Sequence, residues 1–314
     1  MPADSTKRPM RLRRCQLAVP GSSDKMLTKA AGIEVDYVFL DLEDAVAPSA
    51  KPGARGQIVA ALNGLDWGRK TRCVRINDLE TQYAYEDVIE VVEGAGANLD
   101  VIMVPKVKSA ADVRWIDILL SQIEKKLGLE NRIGVEVLIE EVEALMRVEE
   151  IAAASDRLEA LIFGMGDYSA SQGIDSAAIG GDSGYPGDIW HYARNKIVVA
   201  ARSYGKDAVD GPFATFRDPD YYRLECERAQ KLGFVGKWAI HPSQIDIAQD
   251  VFSPSQDAVD HAYKGRDAYL AAQAEGLGAV QVDGAMVDVA TVRLLQITID
   301  RAEAVGMKPS WENA

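Results

Sequence analysis

From residue 14 to about residue 250, short apolar runs rich in Val, Ile, Leu and Phe alternate with longer segments whose apolar positions recur every three or four residues. The first pattern is that of a buried strand and the second that of an amphipathic helix, so the chain reads as repeated strand–helix units. Eight strands are predicted, over residues 15–19, 37–42, 72–76, 101–107, 133–139, 160–164, 208–211 and 237–240. Several are apolar at nearly every position, which a strand needs only when both of its faces are covered. Eight units of this size predict an α/β fold of the closed (β/α)8 TIM barrel type rather than an open doubly wound sheet.

Punctuation between the strands supports the helices. Ser22 and Ser23 can cap the first, Gly32 stops it, and Pro219 after Asp218 suits a helix start. Beyond Pro254 the pattern changes to a charged helix around residues 257–274, a glycine-containing link, a strand pair over 279–288 about the Asp283–Gly284 turn, and a final helix. A barrel does not need this tail. Residues 1–252 are therefore assigned to a catalytic barrel and residues 253–314 to a C-terminal helical and hairpin extension.

The 47% apolar and 26% charged composition is that of a globular protein. No apolar run approaches the roughly 20 residues that cross a bilayer, so no membrane association is expected. A formal charge of -13 argues against nucleic acid as a partner, although a local basic pocket can still take a small anionic substrate. Cys15, Cys73 and Cys226 are odd in number and far apart, which fits a reducing cytoplasm better than a disulfide framework. The basic N-terminus lacks the apolar stretch of a secretory signal; Arg11, Arg13 and Arg14 are expected either to dock on the body of the protein or to reach an acidic ligand, with an organelle transit peptide as the alternative.

Active sites of such barrels lie at the C-terminal ends of the strands, and here those ends are acidic. Asp41, Glu43 and Asp44 follow the second strand, either as a carboxylate group needing a cation or as the first-turn acids of a helix. Arg75 closes the third strand, where it must pair with that group or present its fork to an anion. Lys106, near the end of the fourth predicted strand, is a supporting candidate, since a lysine there can also simply snorkel or pair. Glu140 ends the fifth strand and Asp167 follows the sixth, so two hard oxygen donors can converge on one side of the mouth, as suits Mg²⁺. Glu141 and Glu143 read as helix-start acids. His241, at the end of the eighth strand, either orders the loop before Pro242 or touches substrate, and no histidine spacing suits zinc.

The motifs RCQLAVPGS, VFLDLEDAVAPSAKPGAR, DWG, VRIN, VIMVPKV, VEVLIE, GMGDYSAS, VDGPF, GKWAIHPSQI, VFSPS and DGAMVDVA run in order along nearly the whole chain. Together they resemble the malyl-CoA lyase and citrate lyase β-subunit group of the HpcH/HpaI aldolase superfamily, and within it the bacterial malyl-CoA lyases. The resemblance implies a Mg²⁺-dependent lyase, with Mn²⁺ able to substitute, that cleaves a malyl-CoA-like thioester reversibly to acetyl-CoA or propionyl-CoA and glyoxylate. It implies that Glu140 and Asp167 hold the metal, that Arg75 steadies the thioester oxygen and substrate carboxylate, and that Lys29 contacts CoA. Gly166 joins Asp167 in binding substrate, and Ile240 and His241 close over the acyl group. Asp288 matches a catalytic aspartate that the extension, as a lid, delivers into a neighbouring subunit of a trimer or hexamer.

The sequence departs from that pattern at Ala18 and Ser23, where some relatives carry aromatic and basic residues, at Glu141 to Ala144, and in a shortened segment after the sixth strand, residues 179–194. Substrate choice therefore stays open among malyl-CoA, β-methylmalyl-CoA and citramalyl-CoA, the last yielding pyruvate. A thioesterase or malate synthase-like activity on the same site is a further alternative. An aldolase for sugar-like acids is disfavoured by Lys29 and the lid, and a non-catalytic subunit by the presence of Glu140, Asp167, Arg75 and Asp288.

Overall fold

The computed structural model describes residues 9–175 and 187–312. Two compact units divide the chain between Gln249 and Asp250. In the first, eight parallel strands close on themselves: β1 (Cys15–Pro20), β2 (Tyr37–Asp41), β3 (Thr71–Arg75), β4 (Val101–Val104), β5 (Gly134–Ile139), β6 (Leu158–Phe163), β7 (Asp207–Asp210) and β8 (Gly236–Ala239). β1 pairs with both β2 and β8, so no strand edge is left open. The helices between them are α1 (Asp24–Ala31), α2 (Lys51–Gly64), α3 (Ala84–Ala95), α4 (Ala110–Leu127), α5 (Val142–Met146), α6 (Val148–Ala152), α7 (Met165–Gln172), α8 (His191–Ser203), α9 (Pro219–Leu232) and α10 (Ile245–Val251). The expected TIM barrel is therefore present, and among the described residues no helix is long and apolar enough to cross a membrane.

Every predicted strand has a counterpart, with ends moved by at most three residues. The largest overrun is at 101–107, where β4 stops at Val104 because Lys106 takes a left-handed backbone (φ 48°) that no strand can continue through. The predicted caps form: the Ser23 side chain accepts from the Met26 N–H, Gly32 ends α1, and Asp218 caps α9 ahead of Pro219.

Side chains alternate across a strand, so one parity of each strand fills the barrel interior. That interior is a cluster of Tyr37, Phe39, Cys73, Val101, Met103, Leu138, Ala160, Ile162, Val209 and Trp238. Two residues further along β2, β3 and β5 on the same parity stand Asp41, Arg75 and Glu140, which places them at the barrel's C-terminal mouth. At the opposite end Arg11, Arg13 and Arg14 dock on the body of the protein. Arg13 is buried against Glu136 (2.7 Å), Asp207 (3.1 Å) and Glu159, Arg11 meets Asp100 and Glu159, and Arg14 pairs with Asp36. Residues 1–8 of this segment lie outside the described residues.

The second unit holds α11 (Gln256–Ala274), a two-stranded antiparallel hairpin of β9 (Ala279–Val282) and β10 (Ala285–Asp288), and α12 (Val289–Ala304). Its hairpin turns on Asp283 (φ 48°) and Gly284 (φ 83°), as the DG signal anticipates. Ala262, Tyr269, Val282, Val287, Leu295 and Ile299 form a core of its own. Gly265 lets α12 come close, since a Cβ there would lie 2.6 Å from the Leu295 side chain.

Candidate active site

A cavity of about 390 Å³ opens at the barrel mouth. Asp41, Asp44, Arg75, Glu140 and Asp167 supply its charge, and Ala18, Pro20, Phe39, Leu138, Trp238 and Ile240 much of its apolar wall. A few convergent polar groups in a concave apolar setting mark the molecule's strongest candidate for a ligand site.

The acidic run after β2 is not the start of a helix. The next helical turn begins only at Pro48, without a side-chain cap, and the acids face cations instead. Asp41 and Arg75 are register partners on adjacent strands, so their side chains meet. Arg75 Nε and Nη2 each donate to an Asp41 oxygen at 2.7 Å, a bidentate pair. Arg75 Nη1 lies 2.8 Å from Glu43 Oε2, close enough for strong attraction yet out of line for a hydrogen bond. Burial pushes the Asp41 carboxyl up, but Arg75, together with the backbone N–H groups of Glu43 and Ala45, holds it below its ordinary value. Burial likewise opposes the charge on Arg75, and Asp41 with Glu43 keeps it firmly cationic.

Glu43 is raised by burial against the opposing pull of Arg75 and Lys106. Lys106 Nζ donates to Glu43 Oε1 at 2.6 Å, and its backbone N–H donates to Glu140 Oε1 at 2.7 Å. That second bond is available because of the left-handed turn at Lys106, a conformation costing a non-glycine residue about 1 kcal/mol.

Glu140 is 2% exposed and lies against β6, where Gly164 makes the room: a Cβ at residue 164 would sit 2.4 Å from Glu140 Oε2. Asp167 follows β6, exposed in the first turn of α7. α7 is braced at its base, since Ser169 Oγ donates to the Met165 carbonyl (2.6 Å) and itself accepts from Trp190 Nε1 (2.9 Å). Burial, then repulsion from Glu43 and Asp167, pushes the Glu140 carboxyl up to about 8. Carboxylates that repel one another across a shared cavity are relieved by a divalent cation, and hard oxygen donors suit Mg²⁺. Among the described residues no group of three or more His, Cys, Asp or Glu side chains could hold a metal, so this pair would leave the remaining positions to water and substrate.

Other predicted residues fall around this centre. Gly166 and Ile240 line the cavity. Lys29 is exposed in the last turn of α1, away from the cavity lining. His241 is exposed too, stacked on Phe216 with ring centroids 4.6 Å apart, and its Nδ1 accepts from the Ser243 N–H, so it orders the turn at Pro242. Asp288 belongs to the second unit, where it caps α12 by accepting from the Thr291 N–H (2.8 Å) and hydroxyl (2.9 Å). Of the segment 179–194, residues 179–186 lie outside the described residues.

Sequence reading overlooked the apolar wall. Pro20, Phe39, Leu138 and Trp238 share strand parity with Gln16, Asp41, Glu140 and Ile240 respectively, so extending the alternation through each strand end would have found them. It also passed over Gln244, whose Oε1 accepts from the Ile240 N–H (2.8 Å) while its amide donates to the Phe213 carbonyl (3.1 Å), pinning the rim.

A closed barrel with carboxylates and an arginine at its C-terminal mouth has the architecture of a barrel enzyme, and the chain belongs to the HpcH/HpaI aldolase/citrate lyase family, whose model matches residues 14–242. It is 43% identical over 307 residues to the L-malyl-CoA/beta-methylmalyl-CoA lyase of Cereibacter sphaeroides, covering 95% of this chain and 96% of that one. It is 31% identical over 292 residues to the malyl-CoA/beta-methylmalyl-CoA/citramalyl-CoA lyase of Chloroflexus aurantiacus, covering 88% and 83%. Among solved structures, CitE of Mycobacterium tuberculosis in complex with magnesium, acetoacetate and coenzyme A matches with a TM-score of 0.71 and 29% identity, over 92% of this chain and 97% of that one.

Proposed function

We propose that this chain is a Mg²⁺-dependent carbon–carbon lyase that cleaves malyl-CoA or β-methylmalyl-CoA to glyoxylate and acetyl-CoA or propionyl-CoA, and runs the condensation in reverse. The observation that carries this reading is that the buried Glu140, Asp167 and the Asp41-paired Arg75 line one cavity. Likeness to lyases acting on these thioesters supports the choice of substrate.

Glu140 and Asp167 would hold Mg²⁺, which supplies Lewis-acid polarisation of the 2-oxo-acid oxygens. Arg75, fixed by Asp41, presents positive charge where the thioester oxygen becomes an enolate oxygen. In condensation, Asp288 removes a proton from the acetyl-CoA methyl. The resulting carbon attacks the glyoxylate carbonyl, and that oxygen takes a proton to become the hydroxyl. Cleavage reverses this: the hydroxyl proton leaves, the bond between the hydroxyl-bearing carbon and the α-carbon breaks toward the thioester, and the α-carbon is reprotonated. Lys29 contacts CoA, Gly166 borders the oxo acid, and Ile240 and His241 close over the acyl group. Asp288 reaches this chemistry from the extension of a neighbouring subunit in a trimer or hexamer, in the cytoplasm.

Incubating the protein with malyl-CoA and Mg²⁺ while following glyoxylate and free thiol separately tests the reading. Glyoxylate without thiol is expected. Thiol release with malate would make the protein a thioesterase, citramalyl-CoA turnover alone would move the oxo acid to pyruvate, and no product from any hydroxyacyl-CoA would overturn the assignment.

A further inference from the structure

Gln16 is fully buried on the inner face of β1, beneath the cavity. Its amide oxygen accepts from Trp238 Nε1 at 2.8 Å and its amide nitrogen donates to Glu136 Oε2 at 2.9 Å, while Glu136 Oε1 accepts from Arg13 Nε at 2.7 Å. An indole nitrogen only donates and an ionised carboxylate only accepts, so the amide has one workable orientation. Flipping it would set N–H against N–H on one side and oxygen against oxygen on the other. The indole is thereby tied through Gln16 and Glu136 to Arg13.

Trp238 is 4% exposed, lines the cavity, and packs on Phe39 with ring centroids 4.3 Å apart. The Arg75 guanidinium carbon lies 5.5 Å from the Trp238 ring and 5.8 Å from that of Phe39. A cation near aromatic faces is attracted by their π-systems, so the position of the indole bears on that of the guanidinium.

We propose that Gln16 is a positioning residue and a determinant of specificity: by anchoring Trp238 it fixes the cavity floor beside Arg75, and so limits the acyl substituent carried into the site to a small one. This role rests on the lyase reading for its substrates, and on the Gln16–Trp238 hydrogen bond for its physics.

The test uses the full-length protein as wild type, Gln16→Leu, Trp238→Phe and the double variant. Both single changes remove the same hydrogen bond, and Trp238→Phe does so without touching the Glu136–Arg13 pair. Expected for each is a drop in kcat on malyl-CoA of about 2- to 12-fold, the range that one net hydrogen bond spans, with a smaller change in KM. The ratio of kcat/KM for a thioester with an ethyl branch to that for malyl-CoA should rise. The double variant should match the worse single one, because residues acting through one contact are not additive. Near-UV circular dichroism reads the coupling without turnover: the band lost in Trp238→Phe should also be lost or altered in Gln16→Leu.

A Gln16→Leu protein that loses only thermal stability, keeping kcat, KM, preference and the Trp238 band, overturns the proposal. Fully additive kinetic effects do the same. If Gln16→Leu fails to fold, an unchanged preference and kcat in Trp238→Phe overturns it equally. A wild-type protein inert toward every hydroxyacyl-CoA sinks the lyase reading instead, while the dichroism still decides whether Gln16 fixes the indole.

Discussion

Lys106 delivers its backbone N–H to Glu140 at 2.7 Å from a left-handed conformation, while its ammonium reaches Glu43 at 2.6 Å. One residue thus orients two carboxylates through two different parts of itself. Strained backbone of this kind persists where the surroundings over-determine it, and such places cluster at active sites.

That strain reverses the usual order of alanine and glycine at this position. Lys106→Gly and Lys106→Ala both keep the N–H and lose the ammonium, so they differ only in the Cβ that resists a positive φ. The glycine variant should be about 1 kcal/mol the more stable of the two in urea denaturation. An alanine variant of equal or greater stability would show that the cost of the left-handed turn does not exceed glycine's greater unfolded-state entropy.

The Glu140 carboxyl, pushed up to about 8, links metal binding to pH. In the metal-free protein the folded state holds this proton where the unfolded chain, at its ordinary value of 4.5, has lost it. Between those values folding takes up a proton, so this group's contribution to stability is complete below 4.5 and is lost as pH rises through about 8. Mg²⁺ requires the ionised form and must expel the proton. Titration calorimetry in two buffers of different ionisation heat at pH 7 should find close to one proton released per Mg²⁺ bound, with affinity rising toward pH 8 and levelling above it. Agreement of the two heats would mean that no proton leaves, and that Glu140 is already ionised.

Arg75→Lys keeps the charge and loses the fork. Asp41, 1% exposed, would then lack one of its two matched donors, and the charge facing the cavity would no longer be fixed in a plane. A charge-assisted hydrogen bond is worth about 1.5–3 kcal/mol, so a fall in kcat/KM of about 10- to 100-fold is expected. Near wild-type turnover would rule out a planar recognition role.

Asp288→Asn separates the proposed base from the helix cap. Asn caps as well as Asp, so α12 should survive and the melting temperature should barely move. Hydrogen bonds from the Thr291 backbone and hydroxyl hold the carboxyl below its ordinary value, leaving it ionised at neutral pH. Exchange of deuterium into the acetyl-CoA methyl should disappear in the variant. Persistent exchange would assign proton removal to another group.

The barrel was legible in the sequence because strands buried on both faces must be apolar nearly throughout, and β4 and β6 leave little else to read. Strand ends were harder: Val104 and Val107 look alike in sequence, and only the backbone turn at Lys106 separates them. The charged centre could be read from residues that interrupt the apolar runs, as at Asp41, Arg75 and Glu140. Its pairing could not, since whether Arg75 meets Asp41 or a ligand depends on strand register. Trp238 escaped notice because an aromatic in a barrel strand reads as core, and Gly164 because its contribution is space left for Glu140. Lys29 shows a further limit: its proposed CoA contact rests on resemblance alone, for an exposed helical lysine carries no local mark of one.

Closure of the barrel joins Cys15 to Lys237, so β1 finds one neighbour in β2 at once and the other only after nearly all the rest of the barrel has been made. A growing chain therefore carries β1 with a bare flank through most of its synthesis, and contacts so distant in sequence are slow to form. Folding should accordingly end on that seam: amide protons along β1 and β8 would be the last to gain protection, and a stalled or truncated product lacking β8 would be prone to self-association through the same flank.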